Sequence, residues 1–226
     1  MQDLPKLESK YTRCSQIGAS CKVFGIGLGK TGTTSLHFAL ELLGYRSAHA
    51  STLFCETLNV EASSNLPLLS TLEEHYDAFV DWPMSYLYRQ LDRRFQGSKF
   101  ILTVRNSADR YQSALRHIRE DKVRKSIGLS HGWVEIESEE KFLANDLHHT
   151  LAVRSYFRKR VQDLLVLNIS EGHGWPELCP FLRRPVPAES FPHHKATGSH
   201  DSHFLRSRAV EPHIVSFNLP AWAVRA

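Results

Sequence analysis

Short apolar runs alternate along this chain with longer segments in which apolar positions recur every three or four residues. The short runs predict buried strands, and the periodic segments predict helices. The predicted strands are 22–27, 47–50, 78–81, 99–105 and 163–169, and the predicted helices are 33–43, 84–95, 107–126 and 139–161, with a helical connection at 57–75. This alternation indicates an α/β fold in three layers, with a central parallel sheet flanked by helices. In such a sheet, ligands bind at the carboxyl ends of the strands.

Two of the predicted helices show a clear apolar stripe. In the first, Leu36, Leu40 and Leu43 recur on one face, and Gly44 supplies a C-terminal stop. In the last, Leu143, Leu147 and Leu151 follow one another at four-residue spacing. Residues four apart share one face of a helix, so we expect each set of leucines to face the core.

The first predicted strand runs into a glycine-rich loop that carries one lysine. Residues 25–35 read Gly-Ile-Gly-Leu-Gly-Lys-Thr-Gly-Thr-Thr-Ser. Glycines allow backbone N–H groups to turn towards a ligand, and the N-terminus of the following helix favours negative charge. Lys30 adds a point charge, and Thr33, Thr34 and Ser35 add hydroxyl donors. The loop is therefore predicted to hold a phosphate group.

Two standard phosphate motifs fit this loop poorly. A Walker A loop ending at Gly29-Lys30-Thr31 needs its first glycine at position 24, which is Phe24. Gly27, Gly29 and Gly32 satisfy the dinucleotide pattern G-x-G-x-x-G, but no acidic residue follows at 45–50 for a ribose hydroxyl. The loop therefore needs a third interpretation.

An arginine and a serine at a fixed spacing lie at the end of the predicted strand at 99–105 and beyond it. That strand ends in Arg105, and Ser113 lies eight residues later in the next predicted helix, which Asn106 or Ser107 can cap. From the residues alone, Arg105 can equally form a surface ion pair and Ser113 can be a solvated helix hydroxyl.

These two elements together resemble the sulfotransferases that use 3′-phosphoadenosine 5′-phosphosulfate (PAPS). Lys-x-Gly-Thr-Thr after the first strand is similar to their 5′-phosphosulfate loop, and Arg105 with Ser113 is similar to their 3′-phosphate motif. The segments 76–83, 87–95, 163–169 and 174–182 extend the resemblance to about residues 20–195. The tail after His194 departs from it.

The resemblance implies a P-loop-like fold and transfer of a sulfuryl group from PAPS to a hydroxyl or amine of a small acceptor, with adenosine 3′,5′-bisphosphate as the product. It implies that the cofactor is held by Gly29, Lys30, Thr31, Gly32, Thr33, Thr34, Ser35, Arg105 and Ser113. The domains expected are an N-terminal segment at 1–21, the α/β core at 22–182, and an irregular, partly docked C-terminal segment at 183–226. No metal is expected.

Three residues are candidates for catalysis. Lys30 can stabilise the charge that builds on the leaving phosphate. Asp81 ends a buried strand and is the preferred general base, since Val-Asp-Trp-Pro at 80–83 resembles the strand-end acid of the family. His49 ends the neighbouring predicted strand and is the alternative base. Asp81 can instead cap the next helix, and His49 can be a core histidine. Trp82, Tyr86 and Tyr88 are candidates for the acceptor pocket or for plain core.

Composition agrees with a single cytoplasmic domain. The chain has 226 residues, 42% of them hydrophobic, without a membrane-length apolar run or a signal-peptide pattern. A net charge of +4 suits an anionic cofactor and shows no long basic run that would favour nucleic acid. The four cysteines and the paired histidines match no standard zinc spacing. Two alternatives remain: a P-loop phosphotransferase, and an inactive protein that only binds PAPS.

Overall fold

The computed structural model describes residues 21–49, 61, 67–120, 136 and 138–193. Predictions for the N-terminal segment, Ala50, most of the connection at 57–75, the segment 121–135 and the tail from His194 onward lie outside these residues. So do two of the four cysteines, Cys14 and Cys55.

Five parallel strands form the central sheet, as the sequence predicted. They are β1 (Val23–Gly25), β2 (Ser47–His49), β3 (Ala78–Val80), β4 (Lys99–Thr103) and β5 (Leu164–Leu167). Their order across the sheet is β2-β3-β1-β4-β5. The centres of β1, β3 and β4 are buried because helices cover both faces, as a parallel sheet requires, whereas the centres of the edge strands β2 and β5 are half-buried.

Five helices accompany the sheet in the described residues. They are α1 (Thr33–Leu42), α2 (Met84–Arg94), α3 (Ser107–Glu120), α4 (Glu139–Phe157) and α5 (Trp175–Leu182). Gly44 follows α1 with φ 84°, the left-handed stop that its sequence position predicted. The side chain of Asn106 accepts hydrogen bonds from the amides of Ala108 and Asp109, at 3.1 and 3.2 Å, and so caps α3. The hydroxyl of Ser138 caps α4 in the same way.

Two large apolar clusters form most of the core, one on each face of the sheet, and a small third cluster of Tyr111, Ala114 and Phe142 joins α3 to α4. One of the two large clusters joins α1 and α5 to the sheet through residues such as Leu36, Leu40 and Leu178. The other joins α2 and the end of α4 to the sheet around Phe24. The register places Phe24 beside Phe79 and beside Phe100. The three rings consequently stack across three adjacent strands, with centroids 5.8 and 5.3 Å apart.

The leucine stripe predicted to be the buried face of α4 lies elsewhere. Leu147 and Leu151 are 59% and 56% exposed. The buried residues of this helix are Phe142, Asp146, His149, Val153 and Phe157. Two of the inward positions are polar: His149 bonds to the carbonyl of Ile26, and Asp146 pairs with Arg110 of α3. The leucine spacing therefore predicted the wrong face.

Strand register brings the predicted site residues to one edge. His49 pairs with Val80, and Val80 pairs with Gly25. Asp81 therefore follows β3 one position beyond His49, beside the start of the glycine-rich loop. Among the described residues, no helix is long and apolar enough to cross a bilayer.

Candidate active site at the carboxyl edge of the sheet

The glycine-rich loop between β1 and α1 requires glycine for steric reasons. A Cβ at Gly27 would lie 1.9 Å from Oγ1 of Thr103 and 2.6 Å from its carbonyl oxygen. Gly32 has φ 101°, which L side chains rarely adopt. Lys30 also has a left-handed φ, 71°, although it is not glycine. Such backbone strain in a non-glycine residue is concentrated at functional sites.

Three carbonyl groups of the loop are bonded by donors of the protein itself. Nε2 of His149 donates to Ile26, Oγ1 of Thr31 donates to Leu28, and Nε of Arg110 donates to Gly29, at 2.9, 2.6 and 2.9 Å. In a trans peptide the next N–H points opposite to the carbonyl. The amides of Gly27, Gly29 and Lys30 are therefore turned away from these donors. Amides in this orientation next to a helix N-terminus can bind an anion.

Of the hydroxyl groups predicted to bind the cofactor, those of Thr31 and Thr33 bond to other parts of the protein. The Thr31 hydroxyl contacts Leu28 and lies 2.7 Å from Oγ1 of Thr103, so it ties the loop to β4. The Thr33 hydroxyl donates to Oδ2 of Asp81 at 2.9 Å. Ser35 is 3% exposed, whereas Thr34 is half-buried. Thr31 and Thr33 thus use their hydroxyls for internal bonds and keep only backbone groups for a ligand.

Asp81 and His49, the two candidate bases, lie next to each other. Nε2 of His49 is 3.4 Å from Oδ2 of Asp81, and the two side chains are 26% and 17% exposed. Oδ1 of Asp81 accepts a hydrogen bond from the amide of Trp82 at 2.8 Å. The helix α2 begins after Pro83 without a side-chain cap, so the carboxylate of Asp81 does not serve as its cap. Asp81 has φ 77° and is held in a strained conformation at the end of β3.

A second histidine lies behind this pair. His37 is 3% exposed, its Nδ1 is 2.9 Å from Oγ of Ser47, and its ring centroid is 5.5 Å from that of His49. Burial, followed by the charge of His49, lowers the pKa of His37 to about 4. His37 is therefore uncharged at neutral pH. Its position could have been found from the sequence, since His37 is four residues after Thr33 on α1 and so lies on the same face.

The second predicted anion site lies at the end of β4 and on α3. Arg105 and Ser113 are both half-buried. Nε of Arg105 is buried and makes no hydrogen bond to a described residue. Both side chains therefore keep part of their surface exposed, and Arg105 follows β4 at the edge that carries the loop.

The three aromatic candidates for an acceptor pocket differ in burial. Trp82 and Tyr88 are 5% and 6% exposed. Tyr88 packs edge-on against Tyr156 within the core. Tyr86 is half-buried and lies 6.1 Å from the ring of His149. Burial raises the pKa of Tyr86, which stays neutral. Tyr86 alone keeps the exposure that an acceptor contact needs.

The sequence analysis did not identify a cluster of three buried polar residues next to the loop. Arg110, Asp146 and His149 are 1%, 7% and 7% exposed. Burial lowers the pKa of His149 and of Arg110. Arg110 lies on a helix whose sequence is largely charged and polar, and no local sequence pattern distinguishes a buried charged residue from the exposed ones around it. Within the described part of the chain, no group of His, Cys, Asp and Glu side chains is arranged to hold a metal ion.

Comparison with known families matches this chain to a family model. The model, described as "Sulfotransferase domain", covers residues 22–131 and 123–200, which contain the loop, all five strands and the helices α1 to α5. No curated protein matches the chain.

Proposed function

The chain belongs to the sulfotransferase domain family, and from this membership we propose that it transfers a sulfuryl group from PAPS to a hydroxyl or amine of a small acceptor. One observation supports this proposal above the others. The hydrogen bond between Thr33 and Asp81 joins the anion-binding loop to a pair of candidate proton acceptors, at 2.9 Å. Anion binding and proton removal are thereby combined at one edge of the sheet.

The residues present suit PAPS. When bound, PAPS supplies a sulfuryl group activated by attachment to a phosphate that can leave. The backbone amides of Gly27, Gly29 and Lys30 would hold the 5′-phosphate side, with the half-buried side chain of Thr34 beside them. Arg105 and Ser113 would hold the 3′-phosphate.

Lys30 is proposed to provide the electrostatic part of catalysis. Its backbone lies in the loop itself, and its φ of 71° fixes where the side chain departs from it. A lysine there places positive charge where the leaving phosphate gains negative charge, which is the stabilisation that matters most in group transfer.

Asp81 and His49 are proposed to remove the acceptor proton as one unit. Both oxygens of Asp81 already face donors, namely the amide of Trp82 and the hydroxyl of Thr33. Nε2 of His49 faces the same carboxylate at 3.4 Å, which leaves Nδ1 as the nitrogen that takes the proton. Asp81 then orients the imidazole ring and stabilises the imidazolium, as the aspartate does for the histidine of a catalytic triad.

The hydrogen bond between Thr33 and Asp81 is also compatible with the alternative function, a P-loop phosphotransferase. A threonine bonded to a strand-end aspartate beside a phosphate loop is also how P-loop enzymes hold Mg²⁺. The family match and the arginine at the end of β4 favour sulfuryl transfer over it.

The test is a transfer assay with both donors. The protein is incubated with PAPS and a panel of alcohols, phenols and amines, and release of adenosine 3′,5′-bisphosphate is measured together with sulfated product. A parallel series uses ATP with Mg²⁺ and measures ADP. We expect turnover in the PAPS series and none in the ATP series, and we expect Lys30→Ala to lower kcat with PAPS about 100-fold or more. Turnover with ATP would support the phosphotransferase, and nucleotide binding without any turnover would support a binding protein.

A further inference from the structure

Arg110 is among the largest fully buried side chains of the protein, with 1% of its surface exposed. Burying a guanidinium removes it from water, which costs several kcal/mol unless close partners compensate. The described contacts of Arg110 therefore show what its charge stabilises.

Three groups contact the guanidinium directly, and Tyr86 and Asp81 also lie close enough to interact with its charge. Nε donates to the carbonyl oxygen of Gly29 at 2.9 Å, and Nη1 lies 3.6 Å from Oδ1 of Asp146. The ring of Phe142 lies under the guanidinium carbon, with its centroid 4.2 Å away. Nη1 makes no hydrogen bond to a described residue. The loop carbonyl is thus the shortest polar contact of this buried cation.

That contact acts on one peptide of the loop. The peptide between Gly29 and Lys30 is trans, so its C=O and N–H groups point in opposite directions. Since the carbonyl of Gly29 faces Arg110, the amide of Lys30 faces away from Arg110. The left-handed φ of Lys30, 71°, is unfavourable for a side chain with a Cβ and needs surrounding contacts to persist. A cation bonded to the carbonyl also polarises the peptide and makes its N–H a stronger donor.

We propose that Arg110 is a positioning residue for the 5′-phosphate side of the cofactor: it fixes the Gly29–Lys30 peptide so that the Lys30 amide and side chain face the bound anion. This inference rests on the proposed function. A purely structural role, in which Arg110 only pairs α3 with α4 through Asp146, would stabilise the fold without affecting ligand affinity.

Adenosine 3′,5′-bisphosphate and AMP distinguish these roles because they share the 5′-phosphate. Both ligands are titrated calorimetrically into the wild-type protein, into Arg110→Lys, and into a double variant, Arg110→Met with Asp146→Leu. The double variant leaves no unpaired buried carboxylate and keeps apolar volume, so it is expected to fold. In the double variant both affinities should fall about tenfold or more and by the same factor, as for loss of a hydrogen bond to a charged group. Arg110→Lys keeps the charge and should recover part of the loss.

Arg160→Gln is the matched control. Arg160 makes an ion pair with Asp92 at 2.6 and 2.9 Å, near the opposite edge of the sheet. Its loss should lower the melting temperature and leave both affinities unchanged. A folded double variant that binds both nucleotides like the wild type would overturn the inference alone, as would a loss confined to the bisphosphate. Wild-type protein that binds neither nucleotide would overturn the proposed function and the inference with it.

Discussion

Replacing Asp81 and His49 separately and together reveals which of them takes the proton. Asp81→Asn keeps the shape of the side chain, and asparagine tolerates the left-handed φ of 77° at this position. For opposite unit charges 3.4 Å apart, Coulomb's law with an effective dielectric of about 20 gives about 5 kcal/mol. Since the side chains are 26% and 17% exposed, solvent reduces this to about 2–3 kcal/mol.

That free energy corresponds to a loss of about 30- to 150-fold in kcat for Asp81→Asn, if the proton resides on His49 in the transition state. His49→Gln should lose more, about 100- to 10,000-fold, because the general base itself is removed. The double variant should be no slower than His49→Gln, since the two residues act as one unit. The assay is release of adenosine 3′,5′-bisphosphate at saturating PAPS, with binding of the bisphosphate as the control for folding. A larger loss in Asp81→Asn than in His49→Gln, or losses that multiply in the double variant, would refute the reasoning and make the carboxylate the base.

Three further changes test the loop and its surroundings. Lys30→Ala should lower kcat about 100-fold or more and weaken bisphosphate binding less, as measured by kinetics and calorimetry. Gly27→Ala places a Cβ 1.9 Å from Oγ1 of Thr103 and should cost about 3 kcal/mol or more of unfolding free energy, together with ligand binding. Gly44 has φ 84° and open space around it, so Gly44→Ala should cost only about 1 kcal/mol of unfolding free energy and leave ligand binding intact. His37 has a pKa of about 4 in the folded protein, so the unfolded chain takes up its proton first as pH falls. Between pH 7 and pH 4.5 the wild type should lose about 2–3 kcal/mol more stability than His37→Gln in urea titrations, and equal losses would contradict the burial of a neutral imidazole.

The sequence predicted what local patterns encode. Apolar strands that end in polar residues gave the sheet, the loop and both members of the Asp81 and His49 pair. The contact between Asp81 and His49 could not be predicted from these local patterns, because it depends on the pairing of β2 with β3, which is set by residues far apart in the chain. Two candidate bases thus became one pair only in the folded structure.

The residues beneath the loop show why the rest could not be predicted. Arg110 lies on a helix whose charges read as a solvent-facing surface, and its burial depends on Asp146 and Phe142 of α4, more than thirty residues later. The same contacts explain the error in α4. A helix that buries Phe142, Val153 and Phe157 together with Asp146 and His149 cannot also bury Leu147 and Leu151. The two polar residues interrupt the apolar pattern of the buried face, so hydrophobic periodicity favoured the leucines instead.

Calorimetric titration of the wild-type protein with adenosine 3′,5′-bisphosphate, AMP, and ATP with Mg²⁺ tests the central claim most directly. If the loop and Arg105 bind the two phosphates of PAPS, the bisphosphate should bind about 2–3 kcal/mol more tightly than AMP, the scale of a charge-assisted hydrogen bond. Arg105→Ala should remove that difference and leave AMP binding unchanged. Equal affinity of the wild type for bisphosphate and AMP, or a preference for ATP with Mg²⁺, would contradict a PAPS-dependent sulfotransferase.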